Sequence, residues 1–245
     1  MPLIGFGTWQ LRGQRGYDAI RFALEAGYRH IDTATMYGNE AEVGRALGDS
    51  GIDRKDVFVT TKLPSGGVGR ERDTIDASLR TLRTDYVDLW LVHWPPRGEA
   101  LPQVWRELLA ARDRGLARAV GVSNYRTGQL DELIGATGEA PAVNQIPWSP
   151  PRHDARLLAE SRRRKIVVEG YSPLKGTNLR GRVLGEIASV HRVTPAQVVL
   201  RWHVQHGIAV IPKSADRSRI TANLDLFSFT LSPEEVVRID GLSAA

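Results

Sequence analysis

The chain predicts an eight-stranded α/β barrel, the (β/α)8 or TIM-barrel class. Three observations carry this. Eight short apolar runs alternate with longer amphipathic stretches along 245 residues, the count and length of that architecture. Polar and ionisable residues gather where the apolar runs end, and a barrel builds its site at the C-terminal ends of its strands. The alternation carries no dinucleotide-binding fingerprint: Gly5-Phe6-Gly7-Thr8-Trp9-Gln10 lacks the third glycine, which leaves a doubly wound sheet as the weaker alternative. No linker rich in Pro, Gly or Ser divides the sequence, so one domain over 1–245 is expected.

The elements follow in order. Strands are expected over 3–8 (LIGFGT), 30–34 (HIDTA), 58–63 (FVTTKL), 86–93 (YVDLWLVH), 119–123 (AVGVS), 142–146 (AVNQI), 166–172 (IVVEGYS) and 208–213 (IAVIPK). Each is short, apolar and rich in β-branched residues. Between them the apolar positions recur at helical spacing. Helices are expected over 16–27, 39–49, 72–83, 102–115, 127–137 and 154–164, then as a pair over 181–192 and 194–207. Two more close the chain, over 218–227 and 232–240. The last opens with Ser232-Pro233-Glu234-Glu235, an N-cap, a first-turn proline and first-turn acids.

Composition narrows the function classes. Hydrophobic residues make up 42% and charged residues 25%, ordinary for a globular protein. With no Cys, disulfides, thiolate catalysis and Cys-ligated zinc are excluded, and a reducing compartment, the cytoplasm, is expected. The start MPLIGFGTWQ has no basic segment before an apolar stretch, and no uncharged run reaches membrane-spanning length, so neither a signal peptide nor a membrane partner is expected. Net charge is +5, but Arg is dispersed. The one dense run, Arg162-Arg163-Arg164-Lys165, falls at a helix C-terminus, where cations are favourable, so no nucleic-acid partner is expected. There is no Walker A loop and no HExxH, and Gly121-Val122-Ser123-Asn124-Tyr125 lacks the closing glycine of a nucleophile elbow. The six His show no metal-ligand spacing; His30, His153, His191, His203 and His206 read as structural or solvated, and no metal is expected.

Four residues stand out: Asp32, Tyr37, Lys62 and His93. Three close successive strands, and Tyr37 lies in the loop after the first of these. A tyrosine titrates near pH 10, and a general acid works best nearer the operating pH. A neighbouring ammonium favours the phenolate, so Lys62 is expected to lower the Tyr37 pKa, with Asp32 holding Lys62 charged. His93 would orient a carbonyl oxygen. Singly, each residue has a plain reading as a strand cap, a solvated rim lysine, packing or a core histidine. Together at one rim they point to proton delivery to a carbonyl, hence to carbonyl reduction.

At these residues the chain resembles the aldo-keto reductase superfamily, and within it the bacterial 2,5-diketogluconate reductase and prostaglandin F synthase-like group. The matching stretches include GFGTW (5–9), GYRHIDTATMYGNE (27–40), SLRTLRTDYVDLWLVHWP (78–95), GVSNY (121–125), YSPL (171–174), IPKS (211–214) and RITANLDLF (219–227). The resemblance implies NADPH extended across the C-terminal rim. It implies Tyr37 as proton donor, supported by Lys62, Asp32 and His93. Ser123, Asn124 and Gln145 would hold the nicotinamide carboxamide, Tyr171 would stack on the ring, and Ser172 and Leu174 would contact the pyrophosphate. Lys213, Ser214 and Arg219 would hold the 2′-phosphate, and Asn223 the adenine. A Lys and a planar Arg fork suit a dianionic phosphate. Trp9 and Trp94, with Tyr37 and His93, would wall a pocket for an aldehyde or ketone; Trp148 is a further candidate, while Trp90, Trp105 and Trp202 read as core. A monomer is the expectation the family suggests. A cofactor-sensing binding subunit is the alternative, and a barrel hydrolase or lyase would need a carboxylate pair or metal cluster that the rim does not offer.

The sequence departs from the family pattern at several points. The usual N-terminal hairpin does not precede the first strand. Ile146-Pro147-Trp148-Ser149-Pro150 replaces a Glu and His-Pro, and Ala222 stands where a Glu commonly precedes Asn223. The loop Trp94 to Leu101 is short and the chain stops soon after IDGL, from which a more open pocket is expected.

Overall fold

Eight parallel strands, in the order of the sequence, form one curled sheet in the computed structural model, which describes residues 1–96 and 100–243. The strands are β1 Phe6–Gly7, β2 His30–Asp32, β3 Phe58–Leu63, β4 Val87–Val92, β5 Ala117–Ser123, β6 Val143–Pro147, β7 Val167–Tyr171 and β8 Ala209–Val210. The sheet closes on itself. Ile4 bridges Val210 in parallel, Gly5 N donates to Val210 O at 2.9 Å, and Gly7 N donates to Pro212 O at 3.0 Å. A Cβ on Gly7 would sit 2.8 Å from Ile211 O, so this seam needs glycine. The fold is the expected (β/α)8 barrel.

Helices α1 Gly13–Ala26, α2 Glu40–Asp49, α3 Glu71–Leu82, α4 Ala100–Asp113, α5 Thr127–Thr137 and α6 Ala155–Arg163 follow strands β1 to β6. Between β7 and β8 lie α7 Arg182–His191 and α8 Pro195–Gln205, and after β8 come α9 Arg217–Leu224 and α10 Pro233–Asp240. The Ser232 cap is present: its Oγ accepts from Glu235 N while Glu235 returns a bond to Ser232 N. The basic run at the end of α6 is spent on neighbours. Arg164 pairs with Asp131 and Glu160, and Arg162 donates to the His206 carbonyl. Among the described residues no helix is long and apolar enough to cross a membrane.

Side chains alternate along each strand, and this sorts the residues. Ile31, Val59, Trp90, Val92, Val120 and Val122 pack outward in one buried core with the helices. Leu89, Leu91 and Val143 form a separate inner cluster with Phe58 and Ala119, an apolar plug inside the barrel. On the same inward set, one step farther along their strands, come Asp32, Lys62, Gln145 and Glu169, all buried. The plug thus carries a layer of polar groups, and above it the barrel opens.

Candidate active site

The loop after β2 is pinned from several sides. Asn39, fully buried, donates through Nδ2 to the carbonyls of Thr8 and Leu11, both at 2.8 Å, and accepts from Thr33 Oγ1 at 2.7 Å. Thr35 Oγ1 donates to Lys62 O, and Arg12 Nε donates to Tyr37 O at 2.7 Å. These bonds hold a short 3-10 turn, Thr35–Tyr37, over the end of the barrel. Tyr37 closes that turn.

Lys62 lies fully buried beneath it. Its Nζ donates to both carboxylate oxygens of Asp32 at 2.8 Å, to Thr33 O at 2.7 Å and to Tyr37 Oη at 3.4 Å. Burial opposes charge on Lys62, but Asp32 and Tyr37 outweigh it, and the ammonium is held above its ordinary range. Tyr37 departs from the expectation of a lowered pKa. Lys62 does pull the phenol down, but desolvation is larger, so Tyr37 keeps its proton more firmly than a free tyrosine. A phenol that is protonated at neutral pH can still act as an acid. The ammonium beside it would stabilise the charge left if that proton were given up.

His93 follows β4 directly, its ring edge-on to Tyr37 with centroids 5.8 Å apart. Burial and the Lys62 charge lower it to about 4, so it is neutral at pH 7. Its Nδ1 is buried with no hydrogen-bond partner. A neutral imidazole has one donor and one acceptor to offer.

A cavity of about 590 Å³ opens above these groups, within the usual range for a small-molecule site. Asp32, Tyr37, His93, Ser123, Asn124, Gln145, Tyr171, Ser172, Leu174 and Lys213 all line it, as do Trp9 and Trp94. Met36, Gln10 and Ile211 line it as well and escaped the sequence reading; nothing in the local pattern marks Met36 beyond its place beside Tyr37. Trp9, Met36 and Trp94 are 55%, 56% and 46% exposed, an apolar mouth facing solvent. Trp148, by contrast, is 1% exposed and packs in the core with Trp202. Ser214, Arg219 and Asn223 lie beyond the cavity wall. Ser214 accepts from Asp216 N, Arg219 sits exposed in the first turn of α9, and Asn223 is buried on that helix. The segment Arg97-Gly98-Glu99, on which the more open pocket partly depends, lies outside the described residues.

The polar groups of the wall hold one another. Ser123 Oγ donates to Gln145 O at 2.8 Å, and Asn124 Nδ2 donates to His93 O and to Ser123 Oγ. Tyr171 Oη donates to Asn124 Oδ1 at 2.8 Å. Asn124 and Ser172 both have positive φ, 65° and 52°, directly at the ends of β5 and β7. Non-glycine residues in that region are uncommon and concentrate at functional sites. Gln145 Nε2 donates to Asp32 Oδ2 at 2.8 Å and to Glu169 Oε2 at 2.7 Å, which spends both its hydrogens. Glu169 was missed in the sequence; its signal is a carboxylate in the middle of an apolar strand.

Away from the cavity, His153, His206 and Asp240 come within 4.8 Å of one another. Spacing alone did not predict this grouping. Trp202 Nε1 donates to Asp240 at 2.7 Å and His206 Nε2 lies 2.8 Å from it, so the cluster docks α10 against α8.

Comparison with known proteins agrees with this geometry. Residues 3–244 match the model of the aldo/keto reductase family. The 2,5-diketo-D-gluconic acid reductase B of Corynebacterium sp. is 44% identical over 97% of this chain and 88% of its own. A crystal structure of an aldo/keto reductase from Brucella melitensis superposes with a TM-score of 0.96 at 42% identity, covering 99% of this chain and 94% of that one. The Bombyx mori aldo-keto reductase, solved in complex with NADP, gives 0.93 at 32% identity, covering 99% and 89%. With a buried Lys–Asp pair under a tyrosine at the open end of a (β/α)8 barrel, and with relatives that match along nearly its whole length, the chain belongs to the aldo/keto reductase family of oxidoreductases.

Proposed function

We propose that the protein is an NADPH-dependent reductase of aldehydes and ketones in which Tyr37 is the general acid. The observation that carries this is the bond from the buried Lys62–Asp32 pair to Tyr37 Oη at the floor of an open cavity. When bound, the reduced nicotinamide supplies hydride to the carbonyl carbon. Tyr37 gives its proton to the carbonyl oxygen, and the Lys62 charge beside it stabilises the phenolate left behind. Asp32 keeps Lys62 in place and charged. Neutral His93 donates a hydrogen bond to the same oxygen, which polarises the carbonyl without bringing a second cation near Lys62.

The cavity wall supports the cofactor reading. The Tyr171 ring offers a flat face for a nicotinamide, with Ser123, Asn124 and Gln145 beside it as a polar edge for its amide. Because both Gln145 N–H groups are spent, that residue would act there as an acceptor. Ser172 and Leu174 would meet the pyrophosphate. Lys213 and Arg219 are both exposed and would turn toward a 2′-phosphate, Arg219 from a loose 3.9 Å pairing with Asp216, with Ser214 between them and Asn223 toward the adenine. The Trp9–Trp94 mouth favours a carbonyl compound with an apolar or flat body.

NADPH oxidation followed with para-nitrobenzaldehyde and methylglyoxal, with NADH in parallel, tests this. Turnover that prefers NADPH supports both the reaction and the Lys213–Arg219 assignment. NADPH binding without oxidation of either substrate would count against a broad reductase, and no binding would remove the proposal.

A further inference from the structure

A buried chain of polar groups continues below the residues that the proposed reaction uses. From Asp32 it runs through Gln145 to Glu169, and Glu169 Oε1 stands 3.4 Å from His30 Nε2. His30 Nδ1 in turn lies 3.4 Å from the Pro2 carbonyl. Both Glu169 and His30 are fully buried, and Glu169 Oε1 has no hydrogen bond of its own.

The charges in this chain do not balance if Glu169 is ionised. Lys62 is the ammonium there, and Asp32 already holds it by two bonds. The groups facing Glu169 are His30 and Asp32 from β2, Lys62 from β3 and Gln145 from β6, while β8 presents Ala209. A second buried carboxylate without its own cation is costly, and it would also repel Asp32 across the shared Gln145 amide. One proton between Glu169 Oε1 and His30 Nε2 removes both costs. His30 with its proton on Nδ1 faces the Pro2 carbonyl and leaves Nε2 as an acceptor, with Glu169 Oε1 at 3.4 Å and the Thr60 hydroxyl at 3.3 Å beside it. Burial and the Asp32 charge push the Glu169 carboxyl up to about 7, and burial pulls His30 down to about 4, which places that proton on Glu169.

We propose that Glu169 is a positioning residue for carbonyl reduction: holding a proton against His30, it orients Gln145 toward Asp32 and keeps a second negative charge away from the Lys62–Tyr37 pair. The inference rests on the reductase reading above. Loss of that proton as pH rises through about 7 puts a second carboxylate within the field of Lys62, makes the Tyr37 phenolate harder to form and slows proton delivery.

The replacement Glu169→Gln copies the protonated carboxyl, since its amide can donate to His30 while its carbonyl accepts from Gln145. Single-turnover NADPH oxidation with para-nitrobenzaldehyde is measured from pH 6 to 9 in wild type, Glu169→Gln and Glu169→Ala. The wild-type rate is expected to fall roughly three- to tenfold more across this range than that of Glu169→Gln, the size of a modest change in acid strength. Glu169→Ala is expected to be slow even at pH 6, and Glu169→Gln to restore most of that loss. Superimposable pH profiles for wild type and Glu169→Gln, or an alanine variant as fast as wild type, would overturn the proposal.

Thermal melting gives a second readout that needs no turnover. A folded-state carboxyl near pH 7 holds a proton that the unfolded chain has released above about pH 4.5. Wild type should therefore lose stability relative to Glu169→Gln as pH rises from 4.5 to 7, by roughly several degrees in Tm. A constant Tm difference across that range overturns the shared proton. Wild type that fails to oxidise NADPH rejects the reductase reading, and the melting curves still decide where this proton lies.

Discussion

At the scale of single residues, the site separates two tasks that one tyrosine cannot perform alone. In the proposed reaction Tyr37 must keep its proton until a carbonyl arrives and then release it quickly. Burial does the first, and the Lys62 ammonium 3.4 Å away does the second. Removing the hydroxyl should therefore remove proton delivery and little else. Tyr37→Phe is expected to lose on the order of a hundredfold or more in turnover, the range for a general acid. Its NADPH affinity, measured by fluorescence titration, should stay close to wild type; equal turnover in the variant would refute the assignment. That Asp32, Tyr37, Lys62 and His93 meet is legible in the sequence because each sits at or just after a strand end, and parallel strands bring those ends to one rim. Their field was less legible. Whether Lys62 or desolvation dominates at Tyr37 depends on depth, and depth is set by residues distant in the chain, such as Arg12 and Asn39. Glu169 stayed hidden for the same reason: a lone carboxylate in an apolar strand has no meaning until Gln145 and His30 are seen beside it.

At the scale of elements, prediction was best where one segment carries its own signals. Helix α5 has the expected bounds, 127–137, and strand β3 matches at 58–63. The closing strands did not match. Expected over 3–8 and 208–213, they shrink to Phe6–Gly7 and Ala209–Val210. Pro212 has no N–H for a ladder, and the glycines at 5 and 7 let the strands approach but add no side chain to pack. The turn that carries Tyr37 also depends on a neighbour. Asn39, at the entrance to α2, ties the loops after β1 and β2 together through three buried bonds. Asn39→Ala takes a donor from the Leu11 carbonyl and an acceptor from the Thr33 hydroxyl, while the Thr8 carbonyl keeps its bond from Leu11 N, an expected cost of roughly 1–3 kcal/mol. Urea unfolding reads that cost directly. Turnover should fall too as the Tyr37 turn loosens, so an Asn39→Ala protein with wild-type stability would show that these bonds do not hold the turn.

At the scale of the whole molecule, the barrel is unequally sewn. The pairings β3 with β4 and β6 with β7 run through four or five register positions, whereas closure rests on one bridge and a few loop bonds. Packing at this seam is correspondingly tight. Gly7→Ala would press a methyl against the Ile211 carbonyl, and an overpacked site of this kind costs about 1–3 kcal/mol. The expected result is a lower Tm together with faster amide exchange at Gly5, Gly7 and Val210, and unchanged exchange there would place the weak point elsewhere.

The same seam runs along the edge of the cavity, whose wall takes Gly7, Trp9 and Gln10 from one side and Ile211, Pro212 and Lys213 from the other. A guest resting on both banks acts as a clasp on a hoop. The proposed chemistry lies over Tyr37, yet the first mechanical trace of an occupied protein should appear at the buckle, as slowed deuterium uptake in two strands away from that residue.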